Sequence, residues 1–393
     1  MNLTRSKRIP SIDILRGMVM VIMALDHTRE FFHETALTSD PLDPASTSPV
    51  LFFTRWITHF CAPVFVFLSG ISAFLSARKR SRQEAGNFLV KRGLWLVVVE
   101  LVLVTLGITF NPYYEVFILQ VIWAIGWSMV LLGIAIRVSD KLVLAMGILL
   151  FFGHNITDLL HLPRPGEGSY ALTLLLKANG NMLPVGDSRS FLALYAILPW
   201  SGVMMMGYSV GKWFTPELSA TARRKRLVAA GAGLITIFLA LRFTNWYGNP
   251  TPYQPGNDFM SSLYAFLNTS KYPPSLLYLS MTLGPALLLL AILENARATW
   301  TTVVSVYGKV PFFYYILHFY LLHFLVLFVY LVNQAITGSP GEHTFIWFRP
   351  LTFGYNLWIV YGIWMAVVIF LYFPCRWYSR YKQSHAQWWL SYA

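Results

Sequence analysis

Residues 21–34, VIMALDHTREFFHE, begin as an apolar helix would and then place Asp26, His27, Arg29, Glu30, His33 and Glu34 within nine positions. An imidazole beside a carboxylate can take a proton at one ring nitrogen while its other N–H is held, which is the equipment of a general base. The same imidazole could act as a nucleophile that carries an acyl group. At 100° per residue, Arg16, Met20, Met23, His27 and Glu30 form one helical stripe, with Arg16 and His27 about 16 Å apart along the axis. Asp26, Arg29 and His33 form a neighbouring stripe. One helix thus carries a cation near one end and a carboxylate–imidazole group near the other, suited to two halves of an elongated ligand.

A plainer reading also fits: Ser11 caps the helix, Asp13 favours its positive end and pairs with Arg16, and residues 26–34 mark where the helix reaches water. Position argues against it for Asp26 and His27. About 20 residues cross the hydrocarbon, and His27 is the seventeenth from Ser11, so it falls within the embedded part of the protein. An ionisable group there costs roughly 3 kcal/mol unless it meets a partner or a wet cavity.

Other polar groups sit in apolar surroundings. In FFTRWITHFCAPVFVFLSG, Arg55 and His59 lie one helical turn apart, ahead of Pro63, Ser69 and Gly70. PFFYYILHFYLLHFLVLF carries His318 and His323 near Tyr314 and Tyr315. The two histidines point about 140° apart and so are not expected to share a ligand; His323 reads as a hydrogen bond to a neighbouring helix. No zinc-ligand cluster, phosphate-binding loop or dinucleotide fingerprint is present, so metal, ATP-driven and dinucleotide chemistry are not supported.

The elements that must position these residues are membrane helices. The 393 residues are 56% hydrophobic and 12% charged with mean hydropathy +0.54, too apolar for one soluble core. Ten segments read as spans, at about 11–33, 51–77, 93–110, 117–136, 142–160, 189–211, 227–243, 273–293, 310–334 and 351–373, predicting a single all-α domain over 1–393. With the N-terminus in the cytoplasm, 21 Lys and Arg fall on the inner side and eight on the outer, which places both termini inside. The +13 net charge is then a topology signal, and nucleic-acid binding need not be invoked. Residues 78–92, RKRSRQEAGNFLVKR, form a basic inner turn, whereas the outer segments 34–50, 161–188, 244–272 and 335–350 are rich in Pro, Gly, Asn and aromatics. Cys61 and Cys375 fall toward opposite faces, so no disulfide is expected. Asp13 and Arg16 interrupt the first apolar run, which is therefore read as a span and not as a signal peptide.

The blocks RIPSIDILRGMVMVIMALDH, FCAPVFVFLSGISAFL, LPWSGVMMMGYSVG, KYPPSLLYLSMTLGPALLLL and YGKVPFFYYILHFYLLH occur in order over nearly the whole chain. In this the sequence resembles bacterial membrane proteins related to heparan-α-glucosaminide N-acetyltransferase. The resemblance implies a multi-pass acyltransferase of the bacterial inner membrane that takes acetyl from cytoplasmic acetyl-CoA and delivers it to a sugar amine or hydroxyl outside. His27 lines up with a polar active-site position of that family, and His33 lies near the place of its loop histidine.

The expected catalytic set is His27, oriented by Asp26, with His33 and His59 as competing bases. Arg16, Lys91 and Arg92 are expected near the donor phosphates, and Arg29, Arg55 and His318 near the acceptor. Lipid, acyl-CoA and a glycan or amino-sugar acceptor are the expected partners; the oligomeric state is open, a homodimer included. An O-acetyltransferase and a proton-coupled transporter are the competing readings, the latter because transporters also bury Asp, Arg and His in helices.

Overall fold

The computed structural model describes residues 9–44, 46–160, 169–337, 344–385, 387 and 390. Of the charges counted for orientation, Arg5, Lys7, Arg8 and Arg164 lie outside these residues. Helix accounts for 71% and strand for 5%.

In chain order the first half contains α1 (Pro10–Phe32), α2 (Pro49–Thr58), α3 (Cys61–Ala77), α4 (Arg82–Val99), a π turn (Glu100–Val104), α5 (Thr105–Thr109), β1 (Val116–Leu119), α6 (Val121–Val138) and α7 (Asp140–Gly153). Two short helices follow, α8 (Ile156–Leu159) and α9 (Tyr170–Leu172), then β2 (Asn181–Val185), β3 (Arg189–Ala193), α10 (Ile197–Gly211), α11 (Ala220–Thr244) and α12 (Phe259–Leu267). The chain ends with α13 (Leu276–Leu293), α14 (Thr299–Lys309), α15 (Pro311–Thr337) and α16 (Leu357–Ser384).

Six helical runs among the described residues are long and apolar enough to cross a membrane: Pro49–Ala77, Val121–Val138, Ala220–Thr244, Leu276–Leu293, Pro311–Ile336 and Leu357–Ser384. The other four segments marked by hydropathy take different forms. Segment 93–110 is the second half of one helical run through α4, the π turn and α5. α7 and α10 have 14 and 15 residues, about 21–22 Å, short of the roughly 30 Å hydrocarbon thickness. α1 is long enough but carries the ionisable residues. It touches α2, α3, α13, α14, α15 and α16, and most of its residues are buried. The apolar helices wall it off from lipid.

The all-α expectation misses a small sheet ordered β1-β3-β2, in which β1 pairs parallel with β3 and β3 antiparallel with β2. The strands VFIL, NMLPV and RSFLA do not alternate polar with apolar residues, and β1 and β3 adjoin or fall within the apolar runs read as spans at 117–136 and 189–211. The sheet has a positioning role: the N–H groups of Leu194 and Tyr195 both donate to the Leu119 carbonyl, which sets Tyr195 beside Gln120 at the start of α6.

Buried ionic side chains finish the helices. Arg349 donates from Nε to the Phe31 carbonyl and from Nη2 to the His33 carbonyl, both at 2.9 Å, occupying acceptors that the C-terminus of α1 leaves over. Glu100 accepts from the Gln120 N–H at 2.7 Å at the N-terminus of α6. Arg242 donates to the carbonyls of Ala265, Phe266 and Asn268 at the end of α12, which ties down the segment 245–275.

Close approach of α1 and α14 depends on two glycines. A Cβ on Gly17 would sit 2.1 Å from the Val304 carbonyl oxygen, and one on Gly308 would sit 1.9 Å from that of Asp13. Gly308→Leu should therefore cost about 3 kcal/mol or more, read as a lower melting temperature of the purified protein, whereas Gly362→Leu, whose Cβ meets nothing within 4 Å, should melt as wild type does. Equal melting temperatures for the two variants would contradict the α1–α14 seam.

Candidate functional site

Two consecutive residues near the end of α1 go separate ways, because a step along a helix turns by 100°. His27 turns toward α15, where its Nδ1 lies 2.6 Å from His318 Nε2. His318 Nδ1 is 3.2 Å from the Tyr314 carbonyl oxygen, an atom that can only accept, so this nitrogen carries the hydrogen. In the neutral ring His318 Nε2 is then the acceptor, and His27 must donate from Nδ1. This tautomer assignment, which follows from the hydrogen-bond network, leaves His27 Nε2 with its lone pair and no hydrogen bond among the described residues. Phe319 stacks on the His27 ring with centroids 4.4 Å apart and fixes its plane.

Asp26 turns instead toward α2 and the segment 245–275. Arg55 Nη1 donates to both carboxylate oxygens at 2.7 and 2.5 Å, Arg29 Nη2 lies 3.4 Å away and Lys271 Nζ 4.0 Å away. The expectation that Asp26 orients His27 is thereby corrected: the carboxylate anchors three cations, and the second histidine holds the first. Arg29 also approaches Glu30 at 3.8 Å.

A cavity of about 30 Å3 lies against this group, lined by Val19, Met23, Asp26 and His27 of α1, Thr58, Cys61, Ala62 and Phe65 of the α2–α3 run, and Gln120, Val121, Tyr195 and Lys271. It has room for about one water-sized group. His33 and His59 do not line it. His33 Nδ1 is engaged by Thr35 at 3.1–3.3 Å where α1 gives way to a bridge with Tyr355. His59 Nδ1 donates to the Arg55 carbonyl at 3.0 Å, and its own carbonyl accepts from Tyr278. His323 sits apart from His318, within 2.8 Å of the Trp347 carbonyl and 3.3 Å of that of Gly107.

Toward the other end of α1 a larger cavity, about 190 Å3, is lined by four cations, Arg16, Arg92, Lys309 and Lys382, with Ser69, Ser72 and Ser76 and apolar residues of α4 and α6. Arg16 donates to Ser72 Oγ at 2.7 Å and to the Gly308 carbonyl at 3.2 Å, and lies 3.4 Å from Asp13. Lys91, expected here beside Arg92, is exposed on α4 and faces elsewhere, again because neighbours on a helix diverge. Phe65 lines both cavities, and α1, α3 and α6 contribute to each.

Sequence reasoning missed Lys271, Gln120, Tyr195, Lys309 and Lys382. Lys271 opens the block KYPPSLLY but entered only the outer charge count, and Lys309 and Lys382 entered only the inner one. Nothing local marks Gln120 or Tyr195.

Because Asp26 neutralises buried cations, Asp26→Asn should destabilise the protein by about 3–5 kcal/mol, the cost of leaving a buried charge unpaired. Asp26→Asn combined with Arg55→Met should cost less than the sum of the two single changes. Additive losses in melting experiments would show the pair to be uncoupled.

Residues 8–241 match the family model described as "Heparan-alpha-glucosaminide N-acetyltransferase, catalytic". No curated protein matches the chain. The matched region holds α1 to α10 and nearly all of α11, including His27, Asp26, Arg55 and Arg16, while His318, Lys271, Lys309 and Lys382 lie beyond it. With more than half of its length matched, this multi-pass membrane protein belongs to the heparan-alpha-glucosaminide N-acetyltransferase catalytic family and is an enzyme of the acetyltransferase type.

Proposed function

We propose that the protein moves an acetyl group from cytoplasmic acetyl-CoA to a sugar amine or hydroxyl on the outer side of a bacterial inner membrane, with both termini in the cytoplasm. The observation that carries this reading is the pair of cavities meeting at Phe65, cationic at the Arg16 end and bearing a free imidazole nitrogen at the other. Arg16, Arg92, Lys309 and Lys382 would hold the donor's phosphates. The arm between phosphates and thioester would run beside Val19 and Met23 toward His27, about 16 Å along α1. The narrow space beside His27 favours a short acyl group over a long one.

In direct transfer His27 Nε2 takes the proton of the acceptor N–H or O–H as the acceptor bonds to the thioester carbonyl carbon. The C–S bond breaks, and the proton passes from His27 to the departing thiolate. His318 steadies the imidazolium through the Nδ1–H bond, and the ammonium of Lys271 offers charge to the oxygen that becomes negative. An acyl-His27 route would use the same lone pair.

Assayed with labelled acetyl-CoA and a panel of amino sugars and glycans, folded His27→Ala should lose about 10²–10⁴ in turnover. His318→Ala should lose less, and His318→Gln, which keeps an acceptor for His27 Nδ1–H, should recover part of it. Unchanged turnover in His27→Ala rejects the role, and solute uptake into vesicles without acyl-CoA would favour a transporter. Alkali lability of the product separates an ester from an amide.

Arg16→Ala and Lys309→Ala should each raise KM for the donor about tenfold with kcat little changed, because the lost contact is made equally in ground and transition states. A fall in kcat alone would place those residues elsewhere in the reaction.

A further inference from the structure

α11 is held to the bundle chiefly by α13, through a seam at which a Cβ on Gly231 would lie 2.8 Å from the Gly284 carbonyl oxygen. Only 22% of its apolar stretch is buried. Between its other flank and α7 and α10 runs a cavity of about 560 Å3, apolar along Phe151, Phe152, Met206, Leu234 and Leu287 and bearing Lys212, Trp213 and Arg226 at one end. This cavity shares no lining residue with the two cavities along α1.

Shape and charge select its occupant. From Arg226 to Ile237, both of which line it, α11 advances about 16 Å. Over that length the slot follows α11 between hydrocarbon side chains of α7, α10, α11 and α13. A run of about 16 Å between apolar walls suits an extended alkyl chain. The charged end adds polarity. Arg226 is exposed and Lys212 lies 3.1 Å from Asp140, which sets two cations against one carboxylate there, whereas Arg223 is paired with Glu294 and Arg78 with Glu217. Cations therefore exceed carboxylates around the mouth, and Trp213 has the amphipathic ring typical of the membrane–water boundary.

We propose that the slot between α11 and the α7–α10 pair binds one anionic phospholipid, its acyl chain lying along α11 and its phosphate between Lys212 and Arg226. The bound lipid would complete the wall of the bundle where protein side chains leave it open. This assignment is independent of the acyl-transfer reading.

The test is native mass spectrometry of the purified full chain, titrated with phosphatidylglycerol or with phosphatidylcholine of identical chains. Wild type should bind the anionic lipid about tenfold more tightly, and Lys212→Ala with Arg226→Ala should bring the two lipids to parity. Gly233→Trp supplies a second arm. A Cβ at Gly233 meets nothing within 4 Å, so the indole should fill the slot without disturbing the backbone and displace both lipids. Lipid binding unchanged by Gly233→Trp, no preference in wild type, or a stable dimer that excludes lipid from the slot would each overturn the proposal.

Discussion

The structure depends on one constraint: the helix richest in ionisable groups cannot face lipid. α1 carries Asp13, Arg16, Asp26, His27, Arg29 and Glu30, and on a peripheral helix each would cost free energy that no partner offsets. Burial among six other helices offsets that cost because most of its charged groups are met. Arg55 and Lys271 close on Asp26, Ser72 and Gly308 receive Arg16, and Arg349 takes the last carbonyls of the helix. Small residues at the α14 seam let a neighbour come near enough to close the wall.

That arrangement makes the two ends of the helix chemically different. At one end a set of cations surrounds a cavity wide enough for a polar, charged group; at the other a single imidazole nitrogen faces a space about the size of a water molecule. The same spacing that makes Arg16 and His27 neighbours on a stripe also places them in two different cavities. Completion of both ends comes from remote sequence. His318 from α15 holds His27, Lys271 comes from the segment before α13, and Lys309 and Lys382 join Arg16 and Arg92. The matched family region ends at residue 241, so the site is finished by parts of the chain outside it.

The spanning helices differ in how much apolar surface they bury. The apolar stretches of α6 and α13 are 72% and 78% buried, those of α11 and α16 only 22% and 28%, which leaves the latter two to present apolar surface to the membrane. Where α11 stands off from α7 and α10 the protein leaves a slot lined by hydrocarbon side chains, with its cations gathered at one end. The polar work lies in the core and the lipid contact at the rim, as expected where the solvent is a bilayer.

Much was legible in the residues. Composition and run length give a membrane helix bundle, because crossing hydrocarbon demands long apolar helices. The position of His27, deep in the first apolar run, marks it as a candidate that must meet a partner or a cavity, since an unpaired ionisable group there would be too costly, and it meets both. The 100° step likewise separates His318 from His323 before any coordinates are known. Partners were not legible. Asp26 beside His27 looks like its orienting group, and only packing reveals that the carboxylate serves Arg55, Arg29 and Lys271 while His318, 291 positions away, holds the imidazole. Lys91 and Arg92 are indistinguishable in composition, yet one faces out and the other lines the cavity. Local sequence determines what a segment can bury and with what period, whereas which side chains meet is decided by how distant helices dock, and that is a property of the tertiary structure alone.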